Sequence, residues 1–249
     1  MIHGFFFLDF WEKIGYNKIK EIGDIVMQFM TDTVLKYKIN EALHYATVIG
    51  FAKNGDKRKT IKIPNKIGEY EVQEIGAFAF YKNKYLESVR LPDCLSIIGE
   101  SAFSACEKLE TVYIYPSSQS QVIIDTMAFA CCPSLKEFSG EETMLYNCAS
   151  YIFSDCPNLA KVIGRFSNLG AGAFFNCKKI KTITLGHLAK WTATSFRGCS
   201  NLETLSVFGN LNPNLSETCI NWLRKMHIQC PHNSTLVEWV YDGVNINII

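Results

Sequence analysis

Ten cysteines are the most conspicuous reactive groups in this chain, and their spacing decides what chemistry they could do. Cys106, Cys132, Cys156, Cys177 and Cys199 recur at steps of 26, 24, 21 and 22 residues. Zinc sites bring two close Cys or His pairs together, but no C-x-x-C pair here meets another at finger spacing, and the adjacent Cys131-Cys132 is poorly placed to chelate. A regular step puts equivalent side chains in successive turns pointing the same way, so neighbouring sulfurs do not face each other as a disulfide demands. The five therefore read as a buried ladder of reduced thiols that satisfy loop backbone. The histidines, His3, His44, His187, His227 and His232, fall in no metalloprotease or triad motif. A Cys-His dyad of Cys230 with His227 would need a pocket and an orienting group. Leu169-Gly170-Ala171-Gly172-Ala173 holds only G-x-G, a tight-turn signal rather than a phosphate loop. Asn214-Leu215-Ser216 and Asn233-Ser234-Thr235 match the glycosylation sequon, which matters only in a eukaryotic secretory setting. No catalytic, metal-binding or cofactor-binding residue is expected.

The elements that place the cysteines form a repeat. Phenylalanines stand at 80, 103, 129, 153, 174 and 196, each preceded by Ala or a degenerate equivalent, Ile152 or Ser195. Three residues after each comes Asn83 or a column cysteine, and six after comes Leu86, Leu109, Leu135, Leu159, Ile180 or Leu202. Four before the Ala position comes Ile75, Ile98, Ile124, Cys148, Leu169 or Trp191. The unit then runs L-x-x-V-x-L-P, as in Leu86-Glu87-Ser88-Val89-Arg90-Leu91-Pro92, and its alternation is that of a strand. Units near 23 residues cannot bury an apolar face alone and must stack. The central strand residues are Ile61, Val89, Val112, Phe138, Val162, Ile183, Leu205 and Ile228. Eight rungs span roughly 38 Å. The expected fold class is α/β: a leucine-rich-repeat solenoid with a parallel sheet, short helices or turns on the other face, and a helical N-terminal cap.

These residues carry a family likeness. From about residue 42 to 249 the unit resembles the BspA-like leucine-rich repeats, also called Treponema pallidum-type. Tyr45-Ala46-Thr47-Val48-Ile49-Gly50 with Ile61-Lys62-Ile63-Pro64 and Glu71-Val72-Gln73-Glu74-Ile75-Gly76 resembles the family's first turn. Cys230-Pro231 followed by Asn233-Ser234 resembles its last. The resemblance implies a surface-exposed protein of bacteria or some protists, associated with adhesion.

Composition agrees with a binding scaffold. With 48% hydrophobic residues and a net charge of +1, the chain can fill a core and has no overall electrostatic drive toward nucleic acid or acidic membranes. Its one basic cluster, Lys57-Arg58-Lys59, suits a solvated loop. No run reaches the roughly 18 apolar residues of a membrane span. Phe5-Phe6-Phe7-Leu8-Asp9-Phe10-Trp11 is apolar, but it lacks a preceding basic residue and a cleavage site, so it reads poorly as a signal peptide. Residues 1–41 are expected to form the N-terminal cap, because Ile22, Ile25, Val26, Phe29, Met30, Val34 and Tyr37 keep three- and four-residue steps. The repeat domain then covers 42–249. Its own cap, from about 211, holds a helix through Leu215, Cys219, Trp222, Leu223 and Met226, a short helix from Asn233-Ser234 to Val240, and a last strand from Val244 to Ile249.

If the central residues point inward, their neighbours point out. One outward column is Lys62, Arg90, Tyr113, Ser139, Ile163, Thr184, Ser206 and Gln229, and the next contains Glu137 and Lys161. Most of these residues are small and polar, as a solvated face requires. Arg90, Tyr113, Glu137, Lys161, Ile163 and Thr184 are the candidate contacts for a protein partner, with Tyr and Arg the types that dominate interfaces. The lengthened repeat at Tyr115-Pro116-Ser117-Ser118-Gln119-Ser120-Gln121 is a further candidate. The expected activity is protein binding without catalysis, as a monomer or weak dimer. The alternative is an intracellular scaffold or host-directed effector assembling through its N-terminal helix.

Overall fold

The computed structural model describes residues 20–22, 25–52, 57–114, 121–207, 216–230 and 245–248. In chain order the strands are β1 (Lys20–Ile22), β2 (Ile25–Thr31), β3 (Leu35–Asn40), β4 (Tyr45–Phe51), β5 (Thr60–Lys62), β6 (Lys66–Ile67), β7 (Tyr70–Ile75), β8 (Ser88–Leu91), β9 (Ile97–Ile98), β10 (Thr111–Ile114), β11 (Gln121–Ile124), β12 (Glu137–Cys148), β13 (Lys161–Asn168), β14 (Thr182–Lys190), β15 (Thr204–Val207), β16 (His227–Cys230) and β17 (Asn245–Ile248). A 3-10 turn, Ala193–Phe196, and helix α1 (Glu217–Leu223) interrupt them.

The chain is a parallel solenoid with two sheet faces per turn. On the first face Ile61 pairs with Val89, Val89 with Val112, Val112 with Phe138, and Phe138 with Val162. The ladder resumes with Ile183 on Leu205, Leu205 on Ile228 and Ile228 on Ile246, so the last strand, expected from Val244 to Ile249, joins it as a further rung over Asn245–Ile248. Between β13 and β14 the register slips, and Phe166 rather than Val162 is the paired residue, opposite Leu185. The second face links β4, β7, β9, β11 and the far halves of β12 and β13. Every central residue from Ile61 to Ile228 is buried, so the strand register is the expected one.

A stack of aromatic rings fills the turn between the faces. Phe80, Phe103, Phe129, Phe153, Phe174 and Phe196 lie nearly parallel, with successive centroids 4.9 to 5.8 Å apart. Phe51 meets the first ring edge-on and Trp222 of α1 stacks on the last. Each turn holds this geometry with residues in the left-handed region, such as Met127 and Cys131 or Tyr151 and Asp155, at φ of 55 to 60°. Left-handed backbone is costly for residues with a Cβ. It is offset by hydrogen bonds to the following turn: the Met127, Phe129 and Cys131 amides donate to the Ser150, Ile152 and Ser154 carbonyls. Gly172 takes the same conformation where a Cβ would collide with the Tyr151 ring.

The N-terminal segment differs from expectation. Its described residues form strands, not a helix: β1, β2, β3 and β4 run as an antiparallel meander, and β4 lies parallel on β7. The helical spacing competed with a two-residue alternation, Leu35, Tyr37 and Ile39, which the structure buries. β-branched content and an open sheet edge favour the strand, because that edge offers unpaired backbone groups that only another strand can satisfy. Asp32 makes the turn, accepting from the Val34 and Leu35 amides at 2.6 Å and from the Tyr37 hydroxyl at 2.7 Å. Assembly through an N-terminal helix thereby loses its element among the described residues between 20 and 40. At the other end α1 forms where expected, while the helix expected from 233 to 240 lies outside the described residues.

This packing makes a test. Val112→Ala or Ile183→Ala should cost roughly 1–4 kcal/mol, because each removes a fully buried side chain. Tyr113→Ala and Ile163→Ala, half-exposed beside them, should each move stability by less than about 0.5 kcal/mol. Urea melts of the four variants measure the contrast, and reversal of the ranking would overturn the register.

Candidate binding surface

Three of the expected contact residues come together. Register places Arg90 beside Tyr113, Tyr113 beside Ser139 and Ser139 beside Ile163, so they form one column across four rungs of the first face. Arg90 is exposed, Tyr113 and Ile163 are half-buried, and Ser139 is buried. A large aromatic and a branched aliphatic thus stand two rungs apart over a small floor. Thr184 begins a separate stretch, pairing with Ser206, because the register slip between β13 and β14 breaks the column above Ile163.

Glu137 and Lys161 serve each other. They are adjacent in the neighbouring column, and the Lys161 ammonium donates to Glu137 at 2.7 Å. Lys136 with Glu110 and Lys59 with Glu87 repeat the device, bridging successive rungs at 2.7 and 3.0 Å. Such exposed pairs contribute little stability, about 0 to 1 kcal/mol each, but they neutralise the border of the column. The lengthened loop at 115–120 lies outside the described residues.

The cysteine ladder is structural. Cys106, Cys132, Cys156, Cys177 and Cys199 donate to the carbonyls of Phe80, Phe103, Phe129, Phe153 and Phe174, at 2.9 to 3.1 Å. Each thiol therefore satisfies the backbone at the stacked ring of the preceding repeat. The first four are buried, whereas Cys199 is half-buried. Asn83 fills the equivalent place in the first full turn, where its side-chain Oδ1 accepts from the Tyr85 and Leu86 amides. Burial, the larger effect, and the neighbouring Cys199 push the Cys177 thiol up, and burial pushes Cys199 up to about 12. Protonated, buried thiols are poor nucleophiles and poor metal ligands.

Cys131 is the exposed exception. It borders an open groove of about 400 Å³ with Pro133, Asp155, Pro157, Asn176 and Lys178. Partial burial and the Asp155 carboxylate both raise its thiol, opposite to what a nucleophile needs.

Sequence reasoning missed a second exposed surface. Ile123, Met127, Met144, Tyr146 and Tyr151 are each 37 to 49% exposed, on the second sheet face and its border with the turn. Met127 and Tyr151 occupy equivalent places just before the Ala-Phe pair, and Met144 and Tyr146 alternate along β12. That alternation carries the signal, but it is weaker than the apolar columns that mark the interior.

The comparisons agree on the architecture. The family model described as the BspA type leucine rich repeat region matches residues 50–167 and 145–239, in 6 copies. The structure is similar to that of a leucine-rich repeat protein of T. pallidum, at 23% identity and a TM-score of 0.58 over 83% of this chain and 96% of that one. It is also similar to the pneumococcal vaccine antigen PcpA, at 16% identity and a TM-score of 0.53 over 89% of this chain and 47% of that one. A leucine rich cell surface protein of Faecalibacterium prausnitzii matches at 19% identity and a TM-score of 0.47 over 88% of this chain and 72% of that one. No curated protein matches the sequence. Among the described residues no helix is long and apolar enough to cross a membrane.

The ladder predicts slow thiol chemistry. In native protein the buried column cysteines should resist a thiol-reactive dye while Cys131 reacts, and all five should react once the chain is denatured without reductant. Dye uptake that appears only after reduction would refute the ladder. Alkaline pH adds a second measure. Unfolded thiols ionise near the ordinary 9.0 while folded Cys199 holds its proton to about 12, so across that window the native state binds more protons. Stability contributed by Cys177 and Cys199 is present below 9 and is lost as pH rises toward 12. The fall in Tm over this range should be shallower in the Cys177→Ala/Cys199→Ala variant.

Proposed function

This chain belongs to the BspA-type leucine-rich repeat family, and we propose that it is a non-enzymatic protein-binding scaffold at a cell surface, engaging its partner through the first sheet face. The observation that carries this reading is the Arg90–Tyr113–Ser139–Ile163 column. Tyr113 offers apolar area on a strand paired on both sides, and Ile163 on a strand paired at that position with β12, so little backbone entropy is lost when a partner covers them. Arg90 gives the same column a planar cationic donor for a carboxylate or backbone carbonyl. The bridged pairs alongside keep the border neutral, which suits recognition of a protein surface better than of a polyanion. Membership of this family, whose resemblance implies a surface-exposed protein associated with adhesion, supports the cellular setting and makes adhesion the finer reading.

The test is capture of extracellular-matrix and host-cell proteins by the immobilised chain. A partner should be retained by the parent protein and lost by Tyr113→Ala/Ile163→Ala, with affinity falling at least tenfold because interface anchors of these types carry about 2 kcal/mol or more. Thr184→Ala, beyond the register slip, should bind as the parent does. Undiminished capture by the double variant would move the site off this face.

A further inference from the structure

We propose that the second sheet face is a self-association surface, on which two copies of this chain pair antiparallel about a two-fold axis between β11 and β12. Along that face one outward column reads Thr47, Glu74, Ile97, Ile123, Asn147, Asn168 and Lys190, and the half-buried Glu74 accepts a hydrogen bond from the Thr47 hydroxyl at 2.8 Å. Glu74 pairs with Ile97, Ile97 with Ile123, Ile123 with Asn147, and Asn168 with Lys190, while the Cys148–Leu169 bridge sets Asn147 beside Asn168. From Glu74 to Lys190 this column is acidic at one end, basic at the other and uncharged between.

A two-fold axis midway along such a column turns it onto its own reverse. Ile123 then meets Asn147 of the second copy, Ile97 meets Asn168, and Glu74 meets Lys190 at both ends. The face is therefore charge-complementary to itself in the antiparallel sense, whereas a parallel pairing would set like charges together. From Glu74 to Lys190 the stretch spans about 24 Å.

Apolar area sits where this axis falls. Ile123, Met144 and Tyr146 are 37, 37 and 49% exposed at the centre of the face, and Met127 and Tyr151 are 42 and 41% exposed along its border. The arrangement has the anatomy of an interface, with a Met- and Tyr-rich centre and a charged rim. Its modest width places it among weak, reversible contacts. The first-face column that binds a partner in the reading above lies on a different face and stays open in the dimer.

The experiment is sedimentation velocity of the full chain over a concentration series from low micromolar to a few hundred micromolar. The parent should show a reversible monomer–dimer equilibrium. Tyr146→Glu should sediment as a monomer throughout. Glu74→Lys and Lys190→Glu should each weaken the dimer about tenfold, since each places like charges at both ends. An equimolar mixture of these two single variants should restore it. At one end of the mixed dimer the two substituted positions meet with opposite charges, and at the other the unaltered Lys190 of one copy meets the unaltered Glu74 of the second. Unchanged Tm and circular dichroism keep folding separate from pairing. A chain monomeric at all concentrations overturns the proposal, as does a dimer indifferent to Tyr146→Glu or a mixture no stronger than its components.

Discussion

No repeat in this chain can bury its own phenylalanine. A unit near 23 residues is one turn of backbone, and a ring at its corner has nothing of its own above or below. The stack from Phe80 to Phe196 solves this by making each ring the floor of the next. Much else follows from keeping those rings about 5 Å apart. The corner must turn within a few residues, which places Met127, Cys131, Tyr151 and Asp155 in the left-handed region. The turn carbonyls offer two acceptor sites each: those of Phe80 and Phe174 already accept from the Asn83 and Cys177 amides, and a donor from the following turn fills the second. A side chain that satisfies the phenylalanine carbonyl from the following turn must be small, a donor and tolerant of apolar neighbours, and cysteine meets all three requirements.

The same constraint explains the ends. A stacked array exposes its first and last rings unless something different covers them. Phe51 closes one end edge-on from β4, and Trp222 closes the other from α1, where a helix replaces the repeat. At the N-terminal end the sheet also needs a backbone partner for its first strand. The meander from β2 to β4 supplies hydrogen bonds and the buried Met30, Leu35, Tyr37 and Ile39 together. A helix could have covered the rings, but it could not have paired the edge.

What was legible beforehand divides along this line. Column positions such as Val112, Leu109 and Cys132 repeat because every turn imposes the same packing, so periodicity alone identified the rungs, their inward face and the thiol ladder. Residues 20–40 are not a repeat. Their apolar spacing fitted two periods, and the deciding influence, the edge of β7, lies elsewhere in the chain. The register slip at β13 was likewise hidden, since the step from Val162 to Ile183 is simply one of the shorter repeats. In the candidate site, Arg90, Tyr113 and Ile163 could be aligned by counting. That Lys161 closes on Glu137, and that Thr184 is cut off from the column, depended on side-chain reach and local register.

The repeat also explains how the two sheet faces can differ so sharply. Inward positions are shared between neighbouring turns, so a change in one ring or one strand residue disturbs two or three repeats at once. Outward positions touch only the adjacent rung on the surface. Ion pairs such as Lys136–Glu110 can therefore be placed on the first face without consequence for the core, while Met144 and Tyr146 stand on the second. Tyr146 is 49% exposed in the same strand that buries Leu145 completely. Alternation along one strand thus separates a residue the stack cannot lose from one it does not need. An apolar side chain at such a position buries only part of its surface in the fold, and covering the remainder would add burial that the stack itself does not supply.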